Sequence, residues 1–273
     1  MDGDGPLVID GSVMEGGGQI LRVAVACAVI SHRPVHVRNI RAGRSKPGLS
    51  NQHLTGILLS AELSKAKLSG CALGSTELKL TPMSAIRSGE YEADAKTAGS
   101  ISLLLQIAVP ILAYASPTSK GDSLLCLKGG TDAQFAPPVD YIKQVTFHYY
   151  AMMGLNCDLQ IVRRGFYPQG GGLVKAKVER LRAPLIPLHL LEAGSVNRIS
   201  GHAFVAGRVP IRLILPMALA AGRSEFRTES LTLHTKTAIY VVESMLPVKF
   251  SIVELADGAT IVGCDGIGFK QAV

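Results

Sequence analysis

The feature that most limits what this chain can become is a cycle of secondary-structure signals. A strand-like stretch gives way to a helix-like one, then to another strand and another helix, and the order begins again. LVID (7–10) reads as strand, GQILRVAVACAVIS (18–31) as helix and VHVRNI (35–40) as strand. RAGRSKPGLS (41–50) is a loop broken by Pro47 and Gly48. NQHLTGILLSAELSKA (51–66) carries Leu54, Ile57, Leu58, Ala61 and Ala66 near helical spacing, while TELKLTP (76–82) and EYEAD (90–94) alternate as half-buried strands do. A second round follows: a helix at 98–115 that Pro110 should kink, a strand at 123–129 and a helix at 137–153 opened by prolines. Strands at 156–164 and 173–181 flank the loop GFYPQGGG (165–172). The third round predicts a strand at 195–207, a helix at 208–222, an extended stretch at 225–233, a helix at 235–246 and a closing hairpin. Helices that pack on one face of a small sheet give an α+β layered fold, repeated here with each round.

Composition decides the broad class. Apolar residues make up 47% of the 273 and charged ones 18%, the balance of a chain that buries a core. The longest apolar run, at 100–115, is interrupted by Gln106 and Pro110 and is too short for a bilayer. The first residues, MDGDGP, are acidic and polar rather than a secretory signal, so an intracellular protein without a membrane partner is expected. The five cysteines are scattered, with no CxxC pair and no HExxH, and read as reduced core residues. The net charge is +7, and part of it is clustered in RNIRAGRSK (38–46) and in Arg163-Arg164. That favours a polyanionic partner met locally, at a cleft.

The stretch DGSVMEGGGQILR (10–22) needs a reason of its own. Glycine is the poorest ordinary helix former, yet Gly16, Gly17 and Gly18 stand at the mouth of an apolar helix. Two readings account for the run. Bare backbone amides at a helix N-terminus accept close approach by phosphate, or the glycines make a tight packing turn between strand and helix. GFYPQGGG reads as a turn between strands.

Taken together, EGGGQILR, RAGRSKPGLSNQHLTG, LKGGTDAQFAPPVDY, RRGFYPQGGG, LPMALAAG and LTLHTKTA resemble the motifs of the RNA 3'-terminal phosphate cyclase family, in the family's order from residue 7 to residue 268. The resemblance implies repeated units, each a four-stranded sheet with two helices on one face. They fall at 1–85, at 86–182 and at 183–273, the third incomplete. It implies a ligase that forms a phosphoric ester bond, using ATP to convert an RNA 3'-phosphate into a 2',3'-cyclic phosphate. In that family a histidine attacks the α-phosphorus of ATP, AMP passes to the RNA 3'-phosphate, and the neighbouring 2'-hydroxyl displaces it. The implied partners are ATP, Mg²⁺ or Mn²⁺, and an RNA with a 3'-phosphate end, and the implied compartment is the nucleus (nucleoplasm).

Carried over residue by residue, the resemblance makes His234 the nucleophile and Arg22, Arg41 and Arg44 the phosphate clamp. Neutral imidazole is a competent nucleophile near pH 7, and guanidiniums offset charge on non-bridging oxygens with bidentate bonds. The plainer readings are a histidine tied to backbone and a solvated basic loop. Gln52 adds a donor for the same oxygens or caps its helix. Glu15 matches an acid near ATP and its metal, or simply favours the helix N-terminus. Gln106 and the segment Ala136-Pro137-Pro138 match positions near the nucleotide, where a proline packs on adenine.

The chain departs from the family after AFVAG. The family carries an inserted domain and a flanking helix there, whereas Gly207 here runs almost directly into the helix of LPMALA. A tyrosine and an Asp-Gln pair that hold adenosine in the family are replaced by Arg208, Ile211 and Arg212. Uncovered apolar sheet costs roughly 25 cal/mol per Å², so the third unit is expected to be weakened and the activity impaired. Two further readings are a non-catalytic ribosome-biogenesis relative and an inactive shortened form that binds RNA.

Overall fold

The computed structural model describes residues 5–119, 121–192 and 209–271. The first round of the cycle forms β1 (Leu7–Asp10), α1 (Gly18–Ser31), β2 (Val35–Arg38), α2 (Asn51–Ser64), β3 (Lys67–Ser69) and β4 (Leu78–Thr81). β1 and β2 are parallel, Leu7 opposite Val35, and a parallel pair needs a crossover, which α1 provides. β4 then pairs antiparallel with both β2 and β3, giving the order β1-β2-β4-β3.

The second round repeats this with β5 (Glu90–Asp94), α3 (Ile101–Ala113), β6 (Ser123–Gly129), β7 (Cys157–Arg163) and β8 (Gly172–Val178), ordered β5-β6-β8-β7. Its second helix is one rod in three parts: α4 (Val139–Tyr141), a π-helical stretch (Ile142–Thr146) and α5 (Phe147–Met152). The third round has β9 (His189–Leu190), α6 (Val209–Leu219), β10 (Ala221–Thr228), α7 (Leu233–Met245), β11 (Phe250–Glu254) and β12 (Thr260–Ile267). Its order, β9-β10-β12-β11, is that of the other two sheets.

The expectation of an incomplete third unit is thereby corrected. The described residues give that unit four strands and two helices, with Leu213, Met217, Val241 and Val242 buried over the sheet. The expected strand at 195–207 and the join from Gly207 to Arg208 lie outside the described residues.

Other boundaries move for local reasons. The helix expected at 51–66 stops at Ser64, with Lys65 as a left-handed C-cap at φ 48°. The helix expected at 137–153 begins only at Val139, because Pro138 is its extended N-cap. The helix expected at 208–222 ends at Leu219, since Ala221 and Gly222 join the ladder opposite Ile267 and Gly266. Tertiary pairing there overrides helix propensity. β3 and β9 are too short to show a period, and pairing alone makes them strands.

One core joins the units. α1 packs against α2, α3 and α7, which explains why every residue from Gln19 to Ile30 is buried. A helix apolar all round belongs in an interior. α2 meets α3 through Gly56, where an added Cβ would lie 2.5 Å from Cδ1 of Ile107. Cover is thinner at the edge of the third sheet. Ile252 on β11 faces the fully buried Val262 across the ladder, yet is 45% exposed.

Candidate active site

The polar motifs sit in the turns that follow β1, β2, β6 and β10, between a strand end and a helix start. Clefts in α/β folds form where strands end and helices begin, because unpaired helix N–H groups gather there. The cleft here is about 610 Å³, within the range for a small-molecule site. Its walls come from the starts of α1, α2 and α7, the loop before α4, and the sides of α3 and α6.

Of the residues picked from sequence, Glu15, Gly17, Gly18, Arg22, Arg41, Arg44, Gln52, Gln106, Pro137 and His234 line this one cavity. Gly16 and Pro138 lie off its wall. Gly16 has a left-handed φ of 56° and closes the turn by donating its N–H to the carbonyl of Val13 at 3.0 Å. Gly17 is the N-cap of α1, approached by Arg44, and Gly18 is the first helical residue.

Glu15 joins the first unit to the third. Its Oε2 is in contact with Nδ1 of His234, the second residue of α7, while its Oε1 accepts from Arg44 at 3.2 Å. α7 starts cleanly because Thr232 accepts from the Thr235 N–H at 3.2 Å. Arg41 donates to the carbonyl of Gly48 at 2.9 Å and so braces its own loop.

Arg22 is 8% exposed and is held by neutral amides: Nε donates to Gln106 at 3.0 Å and Nη2 to Gln19 at 2.9 Å. Burial removes its hydration and Arg212 repels it, pulling its pKa down to about 10 despite Glu15 nearby. It remains a cation at neutral pH. Oε1 of Gln52 accepts the Ser100 N–H at 3.1 Å, which ties the start of α2 to the start of α3. The amide's donor end is then the part suited to an anion.

Sequence reasoning overlooked His53, Gln19, Phe135, Arg212 as a cleft residue, and the Thr232–Thr235 cap. His53 is the most informative. Its Nδ1 accepts the backbone N–H of Ser50 at 3.2 Å, and a backbone N–H cannot itself accept. The ring proton therefore sits on Nε2, which rests over Gly18 on the cleft wall. Burial, then Arg22 and Arg41, push the ring's pKa down to about 3, so it is a neutral donor. The signal was available in SNQH, a capping box with histidine at its third helical position. Phe135 is 87% exposed on the cleft rim with φ 61°, and nothing in its sequence setting marks it.

A metal fits only in company. No cluster of three or more His, Cys, Asp or Glu side chains that could hold an ion exists among the described residues. Glu15 supplies a single carboxylate, the usual protein share for Mg²⁺ that arrives with phosphate oxygens and water.

Three repeats that share one basic cleft, with an imidazole set against a carboxylate on its wall, define an α+β repeat protein whose charged side chains from the first and third units meet in one cavity. The family model described as RNA 3'-terminal phosphate cyclase matches residues 13–252, and the chain belongs to that family. It is 46% identical over 198 residues to the RNA 3'-terminal phosphate cyclase of Desulfurococcus amylolyticus, covering 72% of this chain and 54% of that one. With the protein of that name from Pyrobaculum neutrophilum it shares 34% identity, covering 96% and 99% of the two chains. The Drosophila melanogaster protein of that name is 31% identical, with 98% of each covered. In several such matches the chain spans about half the length of the curated relative. The Pyrobaculum and Drosophila alignments run over 348 and 364 positions, more than the 273 residues here, so those relatives carry segments without a counterpart.

Proposed function

We propose that this chain converts an RNA 3'-phosphate into a 2',3'-cyclic phosphate with ATP, through an AMP group carried on His234. The observation that carries the reading is the shared cleft, in which His234 of the third unit stands beside Glu15 and the three arginines of the first. A carboxylate on Nδ1 keeps the proton there and leaves the lone pair on Nε2, the nitrogen that attacks. The new bond is Nε2 to the α-phosphorus, the bond broken is that to the β-phosphate oxygen, and pyrophosphate leaves. Arg22, Arg41 and Arg44 offset the charge on the departing group. A 3'-phosphate oxygen of the RNA then takes AMP from the imidazole, and the 2'-hydroxyl attacks the 3'-phosphorus, expelling AMP and closing the ring.

Gln52 and the Nε2–H of His53 are neutral donors for non-bridging oxygens, and Pro137 is the surface for the base. Glu15 would hold the Mg²⁺ or Mn²⁺ that accompanies ATP, an ion that neutralises phosphate charge. A second reading has a specific observation behind it. Ile211 and Arg212 line the cleft where adenosine contacts are expected, which favours a protein that binds phosphate ends without adenylylation.

The test is an end-group assay on a 3'-phosphorylated oligoribonucleotide with ATP and Mg²⁺. The proposal expects ATP-dependent loss of phosphatase sensitivity. Tight binding of the 3'-phosphate end with no conversion supports the second reading, and indifference to the 3'-phosphate removes both.

A further inference from the structure

Arg22 has company at the inner end of the cleft. Arg212, on α6, lines the same cavity and is 6% exposed. The two also share the wall of a smaller recess with Pro110 and Tyr150. The guanidinium of Arg212 lies over the ring of Tyr141, 6.0 Å from its centroid, which gives the cation a fixed seat. Each arginine disfavours the charge of the other, and Arg212 depresses the pKa of Arg22. Arginine does not escape such repulsion by losing its proton near neutral pH. Both guanidiniums line the cleft, and an anion that enters it there is attracted by both.

Two further observations point the same way. The cleft is lined by four guanidiniums, from Arg22, Arg41, Arg44 and Arg212, against one carboxylate among the described residues. That carboxylate, Glu15, already faces Arg44 and His234. Gln19 is buried on the cleft wall beside Arg22. Its Oε1 accepts from Arg22 and Gln106, and its Nε2 has no acceptor among the described residues. A buried donor without an acceptor is costly, and an incoming oxygen removes that cost.

We propose that Arg212, Arg22 and Gln19 form an inner phosphate subsite, in which Arg212 supplies the second guanidinium and Nε2 of Gln19 a neutral donor. The ligand is a phosphoryl group, from the end of a nucleotide's phosphate chain or from an RNA terminus. The inference rests on the reading of the cleft as a phosphate site and adds to it a residue from the third unit.

Titration of the full chain with inorganic pyrophosphate, followed by calorimetry, tests it. Losing one charge-assisted contact weakens binding by roughly tenfold to a hundredfold, so Arg212→Gln should lose about that much. Arg212→Lys should recover part of the loss, and the affinity of Arg212→Gln should fall less steeply with salt than that of the wild type. Parallel titrations with ATP and with oligoribonucleotides ending in 3'-phosphate or 3'-hydroxyl identify the source of the phosphoryl group as the one whose affinity drops in Arg212→Gln. A folded Arg212→Gln that binds pyrophosphate as the wild type does overturns the subsite alone. A wild-type chain that binds none of the phosphate ligands overturns the cleft reading as well. Should Arg212→Gln fail to fold, arginine Nε–H resonances of the wild type decide the matter, with the Arg212 signal assigned by its absence in Arg212→Lys. Pyrophosphate must move that signal, and a signal that stays put overturns the subsite.

Discussion

A side chain on Gly18 would drive its Cβ into Nε2 of His53, and Ser50 pins that ring from the other side. Gly18→Ala is therefore expected to displace the imidazole or the first turn of α1, costing about 1–3 kcal/mol in a urea melt. The run GGG thus carries distinct tasks: a left-handed turn at Gly16, a cap under Arg44 at Gly17, and room for His53 at Gly18. The sequence offered phosphate approach and close packing as alternatives, and the glycines stand at a packed turn that also borders the cleft. His53 carries a pH signature. Its pKa falls from the usual 6.5 to about 3 on folding, so below pH 6.5 the unfolded chain takes up a proton that the folded one refuses. Stability from this source is complete above pH 6.5 and drains away as the pH falls toward 3. Between pH 6.5 and 4.5 the wild type should lose about 2–3 kcal/mol that His53→Gln does not. Equal losses in both proteins, or an imidazole resonance titrating near 6.5, contradict the assignment.

Among the elements, the third sheet gives the sharpest contrast. Ile252 and Val262 share one rung and one face, but only Val262 is sealed beneath the helices. Val262→Ala should cost about 2 kcal/mol and Ile252→Ala less than about 1 kcal/mol, read from chemical denaturation. Equal costs would mean that the edge is covered in solution. Gly56→Leu should force α2 and α3 apart at Ile107, at about 1–3 kcal/mol. Most elements were legible because they are long and periodic. α1 was read to the residue, as were β1, β5 and β6. The misses have physical causes: β3 and β9 are too short for a period, the end of α6 is set by pairing with β12, and the π stretch leaves no mark in the apolar spacing.

At the scale of the molecule, the cleft exists only because the three repeats close on each other. Its acid and three of its arginines come from the first unit, Gln106 and Pro137 from the second, and His234 and Arg212 from the third. Periodicity alone could not bring residue 234 to residue 15, more than two hundred positions apart. The motif resemblance could, because it names residues by role rather than by place. Arg212 and His53 are marked by neither route: the first stands where the family's adenosine contacts are replaced, and the second sits inside a motif whose arginines and glutamine carry the roles the resemblance implies. The proposed chemistry depends on the imidazole of His234 as carrier of a nucleotidyl group. Incubation of the purified chain with ATP labelled at the α-phosphorus, then denaturation and electrophoresis, tests that directly. The prediction is label bound covalently to the protein, labile in acid as a phosphoramidate is, and absent from His234→Ala. Label that persists in His234→Ala, or a wild-type chain that binds ATP and never becomes labelled, contradicts it.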